Sequence, residues 1–151
     1  MRSPEETESF GRLIADYLFP TAVVLLEGEL GSGKTTITRG IAKGLGVNSY
    51  VNSPSFLIVK EYQGAKMDLY HMDTYRIESV EELLDIGIEE YFDNKGVVVI
   101  EWPEILEGII PDEYIKITIT RDYENAMDTG RLLRMEARGD KYLEIVEELK
   151  R

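Results

Sequence analysis

The clearest chemistry in this chain lies in Gly28-Glu29-Leu30-Gly31-Ser32-Gly33-Lys34-Thr35, which fits G-x-x-x-x-G-K-[ST], a phosphate-cradling loop. Gly28, Gly31 and Gly33 admit backbone conformations that aim successive N–H groups, that of Ser32 included, at one anion. A helix opening at Lys34 adds its positive N-terminal end. Lys34 supplies a point charge for β- and γ-phosphates, and the Thr35 hydroxyl suits magnesium. Thr36 follows in the same first turn and is counted with the phosphate side. Such a loop needs acidic partners for Mg2+ and water. Two acids close apolar runs: Glu101 after Val97-Val98-Val99-Ile100, and Asp73 after Leu69-Tyr70-His71-Met72. Each taken alone equally suits a solvated carboxylate at a strand end. Beside a phosphate loop, both become candidates for the reacting centre. His71 taken alone suits a hydrogen-bonded strand residue.

Composition removes other chemistries. The chain has 151 residues and no cysteine, which excludes disulfides, thiolate metal sites and cysteine nucleophiles. A single histidine excludes a multi-histidine metal centre. The balance of 17 basic and 29 acidic residues, net −12, is poor for autonomous nucleic-acid binding, because phosphate contacts need a basic face. It also disfavours an anionic membrane. The longest apolar runs, Ala22–Leu26 and Val97–Ile100, fall far short of the ~20 residues of a membrane span. The first residues carry no apolar secretory stretch. The expected compartment is the cytoplasm, and the expected organisation is a single domain over 1–151.

The elements that must position these residues follow from periodicity. Ser3, Pro4 and Glu6 predict a helix start, with Phe10, Leu13, Ile14, Tyr17 and Leu18 at helical spacing and Pro20 closing it. Ala22–Glu27 predicts a strand buried on both faces. Lys34–Leu45 keeps helical spacing through Ile37, Ile41 and Leu45, with Gly46 as its stop. Phe56–Tyr62 and Met67–Met72 predict a hairpin around Gln63-Gly64. Ser79 with Glu82 predicts a capping box opening a helix through Val80, Leu83, Leu84 and Ile88. Tyr114–Thr120 alternates, as an outer strand does, and Arg131–Ala137 is a further strand. Asp140–Arg151 predicts a closing amphipathic helix through Leu143, Val146 and Leu149. Apolar strands alternating with helices predict an α/β fold: a P-loop NTPase-like three-layer sandwich, mostly parallel, with antiparallel additions.

The nucleotide is expected to be ATP. Asp93-Asn94-Lys95-Gly96 fits D-x-x-G but precedes a strand instead of following one. Asn94-Lys95 is followed by Gly96-Val97, so the guanine-reading Asp of N-K-x-D is missing.

In order along the chain, these segments resemble the TsaE (formerly YjeE) family. Gly28–Thr35 is followed by Asn52-Ser53-Pro54-Ser55-Phe56, similar to that family's S-P-T-[FY]. His71-Met72-Asp73-Thr74-Tyr75-Arg76 resembles H-x-D-x-Y-R, and Val99-Ile100-Glu101-Trp102-Pro103 resembles a strand ending in E-W-P. Ser55 departs from the commoner Thr but keeps the hydroxyl. The resemblance implies an ATPase of the bacterial pathway that makes threonylcarbamoyladenosine in tRNA, acting with a TsaB–TsaD complex and reaching tRNA only through partners. It implies that Gly28, Gly31, Ser32, Gly33 and Lys34 hold phosphates. Thr35 and Glu101 would ligate magnesium, and Asp73 would lie by the γ-phosphate. It adds Thr7 and Arg131 to the nucleotide side. Trp102, next to Glu101, would turn away by strand alternation. The E-W-P resemblance and a turn at Pro103 instead place Trp102 beside the site. The competing function is a small P-loop phosphotransferase acting on a metabolite hydroxyl. It would share the loop and carboxylates, but no segment resembles an arginine-bearing lid.

Overall fold

The two uninterrupted apolar runs become the centre of one sheet. The computed structural model describes residues 3–29, 31–52, 59–74, 77, 79–101, 108–121 and 130–150. Its elements run α1 (Pro4–Ala15), β1 (Val23–Gly28), α2 (Lys34–Gly44), β2 (Val59–Tyr62), β3 (Leu69–Asp73) and α3 (Val80–Asp85). Then come α4 (Ile88–Asp93), β4 (Val97–Glu101), β5 (Tyr114–Arg121), β6 (Arg131–Arg138) and α5 (Asp140–Leu149). The strand order is β2-β3-β4-β1-β5-β6. The four inner strands are parallel, while β2 and β6 add antiparallel edges. This is the expected α/β sandwich.

Strand alternation divides the core into two layers. Val24 and Leu26 of β1 and Val97 and Val99 of β4 face α1, α2 and α5, packing with Ile14, Ile37, Ile41 and Ile145. Val23, Leu25, Val98 and Ile100 face the other way, against Leu83 of α3 and Ile88 and Phe92 of α4. Because β1 and β4 are covered on both faces, no polar alternation is possible in their buried parts.

The helices α1 and α2 approach through glycine. A Cβ on Gly40 would stand 2.0 Å from the Glu8 carbonyl oxygen, and one on Gly11 2.4 Å from that of Ile37. Only glycine permits this backbone contact, and it carries the start of α1 toward the start of α2. At the far end, the Gly46 N–H donates to the Lys43 carbonyl and the Val47 N–H to the Ala42 carbonyl. That double closure, with Gly46 at φ +84°, ends α2 where expected.

Several expectations need correction. The first helix ends at Ala15 rather than Leu18, and the residues to Leu18 turn toward β1. Ser79 occupies the N-cap of α3, but no side-chain capping bond forms. The helix expected through Ile88 is split, because Gly87 adopts φ +75° and opens α4. The alternating strand β5 is not an outer strand: it lies between β1 and β6. Its Ile115, Ile117 and Ile119 meet the core, whereas its opposite face carries Lys116 and Thr118, with Arg134 and Glu136 of β6 alongside. In α5 the buried face is Tyr142, Ile145 and Val146, and Leu143 is exposed. Tyr142 sits there because its phenol donor or acceptor finds a partner: the Val23 N–H donates to it at 2.8 Å. Burial pushes that phenol above its usual 10.0, while the Val23 bond pulls it down and the Glu113 charge adds to the rise. The segments Ser53–Phe56 and Tyr75-Arg76, and Trp102 with Pro103, lie outside the described residues. No helix among the described residues is long and apolar enough to cross a membrane.

Candidate functional site

Parallel strands present their carboxyl ends on one edge, and a crevice there is where open α/β sheets place ligands. Register puts Asp73 beside Glu101 and Glu101 beside Leu26, with Gly28 two residues farther along. The glycine-rich turn leaves β1 at that point. Gly31 has φ +78° and Gly33 φ +116°, so the turn needs residues without a Cβ penalty. Gly33 is the N-cap of α2, and no side chain caps its first turn. By contrast the Ser3 hydroxyl accepts from the Glu6 N–H at 3.1 Å and caps α1. An uncapped helix start beneath a glycine turn is suited to an anion.

Lys34 is 5% exposed, and its ammonium donates to the carbonyls of Gly28 and Glu29. It therefore spans the mouth of the loop. The Thr35 hydroxyl lies 3.4 Å from Glu101 Oε1. Glu101 is 2% exposed, so its carboxylate needs polar partners. A second one is the His71 imidazole, whose Nε2 meets Glu101 Oε2. Thr74 holds the main chain of the same residue, its N–H donating to the Glu101 carbonyl at 3.2 Å and its hydroxyl at 3.1 Å. Asp73, half-buried, closes the neighbouring strand on the same face.

The loop is held from both sides. Arg131, the first residue of β6, donates from Nε to the Ser32 carbonyl at 2.8 Å and from Nη2 to that of Gly31 at 3.4 Å. Thr7 of α1 is 3% exposed, and its methyl stands 3.6 Å from where a Cβ on Gly33 would be. Its hydroxyl donates to the Ser3 carbonyl. A cleft runs between these walls, lined by Ser3, Thr7, Gly31, Gly33, Thr36 and Arg131. The Ser32 hydroxyl is buried there with no hydrogen-bond partner among the described residues.

Gly28, Gly31, Ser32, Gly33, Lys34, Thr35, Thr36, Thr7, Asp73, Glu101 and Arg131 therefore surround one edge of the sheet. Trp102 lies outside the described residues. Sequence reasoning gave Thr74 and His71 no role at the site beyond their place in the segment resembling H-x-D-x-Y-R, and His71 taken alone was read as a strand residue. That segment, with Thr74 next to Asp73 and His71 two residues before it, was the available signal. Arg121 was also unmarked: it pairs with Arg131 across β5 and β6, and its Nη2 lies 3.3 Å from a Cβ built on Gly31.

The donor set fits a magnesium–nucleotide. Among the described residues no three His, Asp or Glu side chains converge to hold an ion by themselves. Magnesium is commonly bound by one or two protein groups, with phosphate oxygens and water completing the shell. Thr35 and Glu101 could supply such a pair, and the uncapped start of α2 with Lys34 could cradle a phosphate.

Comparison with known proteins shows the family. Residues 1–131 match the family model described as Threonylcarbamoyl adenosine biosynthesis protein TsaE. The chain is 44% identical over 149 residues to the Bacillus subtilis tRNA threonylcarbamoyladenosine biosynthesis protein TsaE, covering 99% of this chain and 90% of that protein. It is 38% identical over 118 residues to the Treponema pallidum protein of the same description, covering 78% of this chain and 87% of that one. The crystal structure of Bacillus subtilis YdiB superposes with a TM-score of 0.83 at 38% identity, covering 99% of this chain and 90% of that one.

Proposed function

The chain belongs to the TsaE family, and we propose that it is an ATP-binding, ATP-hydrolysing subunit that supports tRNA threonylcarbamoyladenosine biosynthesis. The observation that carries this reading is the approach of Thr35 to Glu101 at 3.4 Å, beside the buried ammonium of Lys34. In this proposal Lys34 and the loop N–H groups bind the β- and γ-phosphates. Thr35 and Glu101 hold magnesium, which neutralises charge on the phosphates when bound. Asp73, at the end of the adjoining strand, orients the attacking water. Thr7, Thr36 and Arg131 line the nucleotide's cleft and keep the loop in shape. Residues 1–151 act as one nucleotide-binding domain in the cytoplasm. Net charge −12 supports reaching tRNA through a TsaB–TsaD complex rather than directly.

Calorimetry with Mg2+ and ATP tests the site. Lys34→Ala should weaken binding by roughly ten- to hundredfold, since hydrogen bonds to charged groups contribute about 1.5–3 kcal/mol. Unchanged affinity would remove the phosphate assignment. Product analysis separates the phosphotransferase alternative: free phosphate, rising with the TsaB–TsaD complex, supports the ATPase, and a phosphorylated metabolite supports the kinase.

A further inference from the structure

We infer that His71 is a positioning residue, setting the rotamer of Glu101 so that one carboxylate oxygen is kept for the metal. The inference rests on the magnesium–nucleotide reading above. His71 is fully buried in β3, two residues behind Asp73, and Val99 of β4 is its register partner. Alternation places His71, Asp73, Val99 and Glu101 on one face of the sheet, the face over which α2 begins. The Glu101 side chain folds back diagonally, and its Oε2 meets His71 Nε2 while Oε1 is directed to Thr35. The main chain of Glu101 is pinned separately by Thr74. The imidazole is thus the contact that decides which way the carboxylate turns.

The second ring nitrogen points to the same arrangement. His71 Nδ1 is buried with no hydrogen-bond partner among the described residues. The tautomer with its proton on Nε2 donates to the carboxylate and leaves only a lone pair at Nδ1. The opposite tautomer would bury an N–H without an acceptor and set a lone pair against a carboxylate oxygen, both unfavourable. Among the described residues this is the one hydrogen bond of the His71 side chain, and it goes to the acid at the mouth of the phosphate loop. Groups that orient metal-binding side chains commonly change metal affinity by roughly 10–100-fold when removed.

The test uses Mn2+ as the probe, read by electron paramagnetic resonance on the intact chain with ADP. His71→Asn keeps a polar side chain too short to donate to Oε2, and His71→Gln extends an amide N–H toward the Nε2 position. His71→Asn should weaken Mn2+ binding roughly 10–100-fold while metal-free ADP affinity holds, and His71→Gln should recover most of the loss. Equal Mn2+ affinity in all three proteins, or equal loss of metal-free ADP affinity in both variants, overturns the inference. A wild-type protein that binds ADP but takes up no Mn2+ removes the metal reading itself. Should His71→Asn not fold, the wild type decides alone. His71 is the only histidine in the chain, so its two 15N resonances are unambiguous. They should show the Nε2–H tautomer and shift when Mg2+ is added to the ADP complex. The Nδ1–H tautomer, or no shift, refutes the role.

Discussion

Replacing Gly40 by alanine tests how the first helix is held against the glycine-rich loop. The new Cβ would lie 2.0 Å from the Glu8 carbonyl oxygen, 2.9 Å from its carbon and 3.0 Å from the Arg12 nitrogen. All three atoms are main chain of α1, so no side chain can swing aside. Carbon contacts settle near ~3.5 Å, and α1 would therefore retreat by more than about 1 Å. Two effects oppose each other. Alanine favours the helix over glycine by about 0.8–1 kcal/mol. Overpacking a filled interior costs about 1–3 kcal/mol, and rigid neighbours place this site at the upper end. The clash wins, leaving a net loss of about 2 kcal/mol, or roughly 4–8 °C in melting temperature for a domain of this size. Retreat of α1 also withdraws Thr7 from Gly33, so ATP affinity should fall with stability. Thermal denaturation and calorimetry on Gly40→Ala measure both. Lys43→Ala is the control: it removes only an exposed ion pair with Glu8, worth about 0–1 kcal/mol. A Gly40→Ala protein that melts at or above the wild type would show that helix propensity dominates and that the backbones do not approach this closely.

Other outcomes follow from the site and the core. Asp73→Asn should melt like the wild type yet lose roughly 10²–10⁴ of ATP hydrolysis, the range for a positioned acid–base group; phosphate release at the wild-type rate would make Asp73 structural. The isolated chain should not retain tRNA at physiological salt, and tight, salt-sensitive retention in a filter assay would contradict the subunit proposal. The Tyr142 phenol is raised in the folded state, so its contribution to stability is complete below the unfolded value of 10.0 and is lost as pH rises through the folded one. Denaturant unfolding on either side of pH 10.0 should show that decline, and Tyr142→Phe should lessen it, leaving the part that Tyr70 and Tyr91, also raised by burial, contribute. The same substitution should cost about 1–3 kcal/mol at neutral pH by leaving the Val23 N–H unpaired.

Local signals made much of this molecule legible. The turn from Gly28 to Thr35 is written in residue types that few other structures need. The strands β1 and β4 are legible because burial on both faces leaves no polar residue in Val23–Leu26 or Val97–Ile100. What needed the structure is pairing at a distance. Nothing local says that Asp73 and Glu101 share a register position, or that His71 reaches an acid 30 residues away. The alternation of β5 is a reading of its two faces, and it cannot distinguish an edge from a strand whose neighbour is itself the edge. Leu143 keeps the helical period of α5 but stands one step off the buried stripe, which Tyr142 sets through its bond to Val23. Gly40 was passed over because glycine inside a helix looks like a weakness until the facing backbone is seen.

Arg131 closes on the Ser32 carbonyl across 99 residues of chain. Chains are made from the N-terminus at about 5–20 residues per second, so the glycine turn is synthesised roughly 5–20 s before the side chain that clamps it. The strand β5, which lies against β1, is also late. During that interval α1 and α2 can meet along their glycines, because they are neighbours in sequence, while the loop still lacks one wall. The clamped cleft is therefore a property of the finished chain, and a nascent chain stalled before β6 has no Arg131 with which to hold the loop.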